Sequence, residues 1–245
     1  MIEFTFQAYR NLLKFLQEKE YKFANYHNYA EFDKAVILRH DIDMDIEKAL
    51  EISTLEYSLG ISSTYYVLLS SDFYNVFSKK NELLLKQISS LGHDIGLHFD
   101  EEKYNDTSNI IKNIENEIEI LEKCINRKVN SVSMHRPSKI TLDADYKIKN
   151  GEIVNSYGKE FFEGFKYVSD SRRNWRENIY EIINSEKYKK LHILTHPIWY
   201  GKEEIKMKEC LGDFISRAGQ ERYEGLKKNI LNLEKVMGMD FENEK

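Results

Sequence analysis

Acidic side chains gather directly after the apolar run at residues 35–38. If that run is a buried strand, its alternating side chains place Arg39, Asp41 and Asp43 on one face. Two carboxylates crowded at a strand end repel each other unless a proton, another cation or a metal ion separates them. The stretch is therefore consistent with a metal site. A polar turn followed by a helix that Asp45 caps explains it equally well at this point.

Histidines and carboxylates also stand where other apolar or β-branched stretches end. These positions are His98 with Asp100, His135 with Arg136, Asp170, and His196. A strand-end histidine taken alone is more often a structural hydrogen-bonding residue than a metal ligand. Such residues at successive strand ends are harder to explain by structure alone. Aspartate and histidine ligands with one position left open for water form a zinc-type site, which acidifies the water and polarises a carbonyl group. A nearby carboxylate and a histidine then take and give a proton.

These side chains need strands to position them, and the hydrophobic pattern predicts strands that alternate with helices. The predicted strands are residues 35–43, 63–69, 93–98, 130–135, 166–170 and 190–196. The predicted helices are residues 6–22, 45–59, 81–91 and 110–125, of which the last has the clearest apolar period. This alternation is typical of βαβ units and a parallel sheet. A (β/α) barrel gathers the carboxyl ends of its strands at one face, where barrel enzymes carry their sites.

The composition bounds the class of protein. The chain has 245 residues, of which 41% are hydrophobic and 31% charged, enough for one large α/β domain or two small ones. A net charge of −5 argues against a general nucleic-acid-binding surface. The spacing of Cys124 and Cys210 predicts free thiols in a reducing compartment. The first residues lack a signal-peptide pattern, and no apolar run reaches the roughly 18 residues of a membrane span. We therefore expect a cytoplasmic protein without a transmembrane segment.

The order of these motifs resembles that of the polysaccharide deacetylase family, the metal-dependent carbohydrate N-deacetylases of carbohydrate esterase family 4. The resemblance covers about residues 35–200, and it is closest to the divergent branch found with bacterial surface-polysaccharide biosynthesis. It is carried by Arg39-His-Asp-Ile-Asp43, Gly92-His-Asp-Ile-Gly-Leu-His98, His135-Arg-Pro137, Ser169-Asp-Ser171 with Trp175, and Leu194-Thr-His-Pro197. It implies an α/β fold, a single distorted (β/α) barrel of about seven parallel strands. We expect one domain over residues 1–245, with a helical extension at about residues 203–240.

The resemblance also implies a divalent metal ion and ligands for it. Asp41 resembles the family's base and Asp43 its metal aspartate, although Ile42 between them leaves the two roles exchangeable. His98 matches the first of two metal histidines, but Glu102 occupies the position of the second. Zinc (Zn²⁺) is the metal that we expect with such ligands, although cobalt, nickel and iron also accept them.

The third ligand stays open among His135, Asp100 and Glu102, and we favour His135 because it stands at the next strand end. Neighbouring strand residues face opposite sides, so His135 and Arg136 both reach the pocket only if the chain bends there. Pro137 favours such a bend. Arg136 resembles the arginine that holds the family's base carboxylate and so keeps it ionised.

The remaining motifs imply a general acid and a substrate pocket. Asp170 and His196 resemble the family's aspartate–histidine pair, in which the histidine protonates the leaving group. Leu194 would form an apolar wall for the acyl methyl group. The other residues that we place at the substrate are Asp100, Trp175, Trp199 and Tyr200. The three aromatic rings would stack on a sugar, although ordinary core packing explains them equally well.

These motifs predict a metal-dependent hydrolase that removes an acetyl or formyl group from an amino sugar. Its substrate would be a nucleotide-linked or lipid-linked sugar, or a glycan intermediate, of surface-polysaccharide biosynthesis. Two alternatives stay open. One is an amidohydrolase that acts on a small non-sugar amide such as a cyclic ureide. The other is a catalytically inactive carbohydrate-binding protein, for which Glu102 at the position of a metal histidine is the best support.

Overall fold

The structure is a computed structural model and describes residues 2–104 and 107–238. Eight strands form one sheet. They are β1 (Lys22–Ala24), β2 (Ala35–Ile42), β3 (Thr64–Leu68), β4 (Asp94–Asp100), β5 (Ser131–His135), β6 (Val154–Asn155), β7 (Lys166–Ser169) and β8 (Lys190–Thr195). The strands pair in parallel in the order β6-β5-β4-β3-β2-β8-β7, and β1 pairs with β2 beside this path. The seven strands of the path curl into a half-barrel, which confirms the predicted distorted (β/α) barrel.

The long strand β2 lies at the centre of the sheet. It pairs with β8 along residues 35–40 on one edge and with β3 along residues 39–42 on the other. β1 pairs with residues 35–37 of β2, on the same edge as β3. All eight residues of β2 are buried. A strand covered on both faces needs apolar side chains or polar ones with fixed partners, and β2 contains both kinds.

Eight α-helices lie within the described ranges. They are α1 (Phe6–Glu18), α2 (Ile46–Tyr57), α3 (Lys79–Ser90), α4 (Ile110–Ile125), α5 (Lys139–Ala144), α6 (Lys159–Glu163), α7 (Ile179–Asn184) and α8 (Met207–Lys227). The bounds predicted for α4 are confirmed, because its isoleucines recur every three or four residues and bury one face. The first three predicted helices are confirmed with bounds that differ by a few residues.

The side chain of Asp45 fixes the start of α2. Its Oδ1 accepts from the backbone nitrogens of Glu47 at 2.9 Å and Lys48 at 3.2 Å. Asp45 is therefore the N-cap of this helix, as the polar-turn interpretation expects. Asp41 and Asp43 come before the cap and make the different contacts described below.

Side chains along β2 alternate between two buried surroundings. Ile37 belongs to an aromatic cluster inside the barrel, and Arg39 and Asp41 follow it on that face. His40 points to the opposite side, where its Nε2 lies 2.9 Å from Oε1 of Glu56 on α2. The inner face thus leads from the barrel core to the carboxyl ends of the strands, where a site would lie.

The chain divides into two compact units, Met1–Glu203 and Glu204–Lys245. The first unit carries the sheet and helices α1–α7, and the second carries α8. The organisation of the chain as one domain stays a prediction. Within the described ranges, Cys124 and Cys210 are both buried and neither is in a disulfide. Within the described part of the chain, no helix is both long and apolar enough to cross a membrane.

Candidate active site

The carboxyl ends of β2, β4 and β5 bring together Asp43, His98 and His135. Oδ1 of Asp43 lies 3.2 Å from Nε2 of His98 and 3.4 Å from Nδ1 of His135. The two histidine nitrogens are 3.1 Å apart. Ligand atoms about 2.0–2.1 Å from a tetrahedral zinc ion stand about 3.3 Å from one another. The three atoms therefore fit three corners of such a site.

The surroundings of these atoms also suit a metal ion. Oδ1 of Asp43 is buried and has no hydrogen-bond partner among the residues described. Such an oxygen is accounted for if it ligates a cation. Burial disfavours the charge of Asp43, yet His135, His98 and His196 hold the pKa of its carboxyl well below the usual range. The metal trio, as we call Asp43, His98 and His135, has all of its ligand atoms within 4.8 Å of one another.

The other two candidates for the third ligand, Asp100 and Glu102, face Arg136 instead. Nη2 of Arg136 donates to Oδ2 of Asp100 at 2.6 Å, and its Nη1 lies 3.1 Å from Oε2 of Glu102. Oδ1 of Asp100 accepts from the backbone nitrogen of Glu102 at 3.1 Å. His135 is thus the candidate that lies beside Asp43. Both oxygens of Asp100 thus have internal donors, and its predicted contact with the substrate stays a prediction.

The predicted contact between Arg136 and Asp41 is wrong. The chain leaves β5 at Arg136 with a left-handed backbone (φ 49°), which takes this side chain out of the alternation of the strand. The side chain is 57% exposed. Arg39 holds Asp41 instead, since its Nη2 donates to Oδ2 of Asp41 at 2.7 Å. The strand alternation visible in the sequence places these two side chains on one face.

Asp41 lies beside the metal trio and is almost fully buried. Its Oδ2 is 3.7 Å from Nε2 of His98, and its Oδ1 is 3.5 Å from Oγ of Ser133. Burial raises the pKa of the Asp41 carboxyl, but Arg39, His98 and His196 outweigh this effect and lower it. Asp41 is therefore an ionised carboxylate next to the trio.

His196 and Asp170 form a hydrogen-bonded pair beside the trio. Nδ1 of His196 lies 2.7 Å from Oδ1 of Asp170, and Nε2 of His196 lies 3.8 Å from Oδ2 of Asp43. Oδ2 of Asp170 accepts from the hydroxyl of Tyr200 at 3.1 Å. Burial opposes protonation of His196, but the hydrogen bond and charge of Asp170 raise its pKa to about 9. His196 can therefore carry a proton toward the trio at neutral pH.

The three aromatic residues predicted to stack on a sugar are buried. Trp175, Trp199 and Tyr200 are only 9%, 7% and 2% exposed, which favours the packing interpretation. Tyr200 in addition donates to Asp170, and the predicted contact of the three rings with a sugar stays a prediction. Leu194 is also buried and pairs in register with Arg39, on the inner face of the barrel. Its predicted role beside the acyl group stays a prediction.

Sequence reasoning missed the residues that hold Arg39 in the barrel. Ser133 on β5 accepts from Nη2 of Arg39 at 2.7 Å, and Ser156, just after β6, accepts from Nη1 at 2.9 Å. Ser133 stands two residues before His135, so strand alternation is a signal for its position. Ser156 follows a strand of two residues, which is too short to have a pattern.

No family model and no curated protein matches the chain. Among solved structures, a carbohydrate esterase family 4 pseudoenzyme from Bacillus anthracis is 14% identical with a TM-score of 0.46, over 77% of this chain and 62% of that one. The chain thus spans less than two thirds of that protein. A polysaccharide deacetylase from Bacillus cereus is 15% identical with a TM-score of 0.47, over 71% of this chain and 93% of that one. A mutant of the peptidoglycan deacetylase PdaC from Bacillus subtilis is 14% identical with a TM-score of 0.44, over 84% and 98%.

Proposed function

We propose that the protein is a metal-dependent hydrolase that removes an acetyl or formyl group from the nitrogen of an amino sugar. The observation that carries this proposal is the convergence of Asp43, His98 and His135 on one point. Asp41 lies 3.7 Å from His98, and His196 lies 3.8 Å from Asp43. A metal site with a base and an acid beside it can carry out amide hydrolysis.

Asp43, His98 and His135 would hold a divalent ion, and we propose zinc because one carboxylate and two imidazoles suit it. Such an ion, when bound, acidifies a water molecule and polarises the acyl carbonyl group. Asp43 is assigned to the metal because its Oδ1 faces both histidines. Asp41 is left for the base, since Arg39 holds it and keeps it ionised.

The chain's own residues would move the two protons of the reaction. Asp41 would accept a proton from the attacking water. His196 would give a proton from Nε2 to the departing amine, because Asp170 holds its Nδ1 and so fixes which nitrogen faces the site. The base Asp41 lies on β2, and the acid His196 directly follows β8. These strands pair in parallel as far as His40 and Thr195, the residues that precede the base and the acid.

The substrate that we propose is an N-acylated amino sugar linked to a nucleotide, a lipid or a glycan of surface-polysaccharide biosynthesis. The resemblance of the motifs to the divergent branch found with bacterial surface-polysaccharide biosynthesis supports this part of the proposal. The main support for an inactive protein was Glu102 at the position of a metal histidine. That support is weakened because His135 supplies a second imidazole to the trio.

The test is amine release by the purified protein from a panel of substrates, before and after removal of metal with a chelator. The panel contains nucleotide-linked N-acetyl and N-formyl sugars, N-acetylated oligosaccharides and cyclic ureides. We expect release from at least one amino sugar that stops with the chelator and returns with zinc. Release from ureides alone would replace the substrate class, and no chelator-sensitive release at all would overturn the proposal.

The control for this assay is His27→Asn. His27 acts electrostatically on Asp94, at the start of β4 and therefore at the opposite end of that strand from His98. Its loss should leave metal content and activity unchanged. His98→Asn should abolish both.

A further inference from the structure

A guanidinium group is fully enclosed in the barrel, directly below the candidate base. Arg39 is 0% exposed. Its Nη2 donates to Oδ2 of Asp41 and to Oγ of Ser133, each at 2.7 Å, and its Nη1 donates to Oγ of Ser156 at 2.9 Å. The partners lie on β2, on β5 and just after β6, so the group spans the interior of the barrel.

Two aromatic rings complete this enclosure. The guanidinium carbon of Arg39 lies 5.3 Å from the ring centre of Tyr66 on β3 and 4.8 Å from that of Tyr157. Both distances are within the range of cation–π attraction. The two terminal nitrogens of the guanidinium therefore make three hydrogen bonds and two rings lie within cation–π distance, which together restrict its movement.

A buried cation is costly to desolvate, and a buried ion pair is weak evidence for stability because apolar residues of similar volume often serve as well. The stable core of this barrel therefore does not require a charge at Arg39. Asp41 is the carboxylate that this charge contacts. The contact between Arg39 and Asp41 holds the carboxylate of Asp41 in one orientation beside the metal trio.

We propose that Arg39 is the positioning residue of the base Asp41, and that Ser133 and Ser156 hold its guanidinium in place for this purpose. Arg136, whose motif suggests this role, takes no part in it. This inference rests on the proposed function, because the orientation of Asp41 matters to the protein only if Asp41 accepts a proton. A base that is displaced by about 1 Å can lose about 100-fold in rate.

The test compares Arg39→Lys with the control Arg10→Met, a half-buried arginine whose side chain donates to Ser58 on the outside of the molecule. Lysine keeps the positive charge, but it lacks the planar guanidinium whose separate N–H groups donate to Asp41 and to both serines. We expect kcat to fall about 10- to 100-fold in Arg39→Lys with KM and metal content unchanged, and no change in Arg10→Met. Arg136→Met should lose less than Arg39→Lys.

The two serines provide a test that keeps the buried charge in place. Ser133→Ala with Ser156→Ala should lower kcat at constant KM, whereas the threonine variants, which keep the hydroxyl groups, should retain most of it. If Arg39→Lys does not fold, comparison of the double alanine variant with the threonine variants still tests whether the guanidinium must be held in place. Full kcat in the double alanine variant would show that the serines do not serve the base.

A double-mutant cycle separates positioning from a general structural role. If Arg39 acts through Asp41, Arg39→Lys causes no further loss in the Asp41→Asn background. The inference is overturned if the fold losses in kcat of the two single variants multiply in the double variant, or if Arg39→Lys has the kcat of the wild type. Either result leaves the proposed function standing. A wild-type protein without chelator-sensitive activity on any amino sugar would overturn both.

Discussion

Nδ1 of His196 lies 2.7 Å from Oδ1 of Asp170, and the backbone nitrogen of His196 donates to the same carboxylate. Asp170 directly follows β7 and is fully buried, whereas His196 directly follows β8. Parallel pairing of these strands sets Ser169 opposite Leu194, so both strand ends reach the same level. The pair is therefore a product of strand register, and it aims Nε2 of His196 at Asp43.

The first prediction concerns this pair. Asp170→Asn keeps the shape of the side chain but removes the charge that favours the protonated imidazole and its orientation. We expect kcat for the deacylation to fall by about 10²–10⁴-fold, because a positioned general acid contributes this much. Steady-state kinetics on the best amino-sugar substrate measures it.

Tyr200→Phe is the matched control, since it removes one hydrogen bond to Asp170 and no charge. Its kcat should fall much less than that of Asp170→Asn. Equal kcat in Asp170→Asn and the wild type would show that His196 is not the acid.

The second prediction identifies the third metal ligand. His135→Gln should weaken zinc binding by more than about 100-fold, because a three-residue site loses one of its ligands. Glu102→Gln should leave zinc binding unchanged, since the Glu102 side chain is exposed and faces Arg136. Titration calorimetry of the metal-free protein with zinc measures both. If the two variants exchange these results, Glu102 is the ligand.

The third prediction concerns Gly96, at the centre of β4. A Cβ atom there would stand 2.3 Å and 2.5 Å from two ring carbons of Tyr66, far inside normal contact. Gly96→Ala must therefore move the ring that lies against the guanidinium of Arg39. We expect the free energy of unfolding to fall by about 1–3 kcal/mol, as for other overpacked cores, in a urea titration.

Gly212→Ala is the control for this prediction. A Cβ atom at Gly212, within α8, meets nothing within 4 Å. Alanine is the better helix former, so this variant should not be destabilised. An equally small change in Gly96→Ala would mean that Tyr66 can leave its place without cost.

The elements that carry the site could be predicted from periodicity, and the short ones could not. The helix at residues 110–125 was predicted with its bounds because seven of its residues are buried at helical spacing. β1 and β6 have three and two residues, so they hold too little pattern to be recognised. β6 nevertheless leads into Ser156, which is why this partner of Arg39 was missed.

Side-chain contacts were predictable where strand alternation decides them, and motif order in addition predicted the pair of Asp170 and His196. Alternation places Arg39 and Asp41 on one face, and the structure has them in contact. The motif order favoured Arg136, and Pro137 predicts a bend there, but it does not predict that a left-handed backbone at Arg136 turns the side chain away from Asp41. Burial of Trp175 and Trp199 likewise depends on how distant segments pack, so the sequence left two interpretations equal.

The last prediction concerns a buried polar network on the outer side of β2, centred on Glu56. Four side chains donate to its two carboxylate oxygens or share a proton with them. They are Tyr9 at 2.5 Å, His40 at 2.9 Å, Ser63 at 2.6 Å and Tyr65 at 2.8 Å. This cluster packs α1 and α2 on the sheet, away from the inner face that carries Asp41.

The pKa values of this network make the fold sensitive to acid. Burial raises the pKa of the Glu56 carboxyl, but His40, His93 and Ser63 outweigh it and lower the pKa to about 2. The unfolded chain takes up this proton near pH 4.5, so stability present above that pH is lost as the pH falls toward 2. Burial also lowers the pKa of His93, so the unfolded chain gains protons first below about pH 6.5.

We therefore expect the free energy of unfolding to fall steadily from pH 7 to pH 3, by about 2 kcal/mol from Glu56 alone. Urea titrations at successive pH values measure it in the wild type, in Glu56→Gln and in the control Glu51→Gln, an exposed glutamate of the same helix. Glu56→Gln should be less stable at pH 7, because an amide cannot accept from all four donors, and should lose the dependence below pH 4.5. Glu51→Gln should follow the wild type. The same slope below pH 4.5 in Glu56→Gln would show that other carboxylates cause the acid sensitivity.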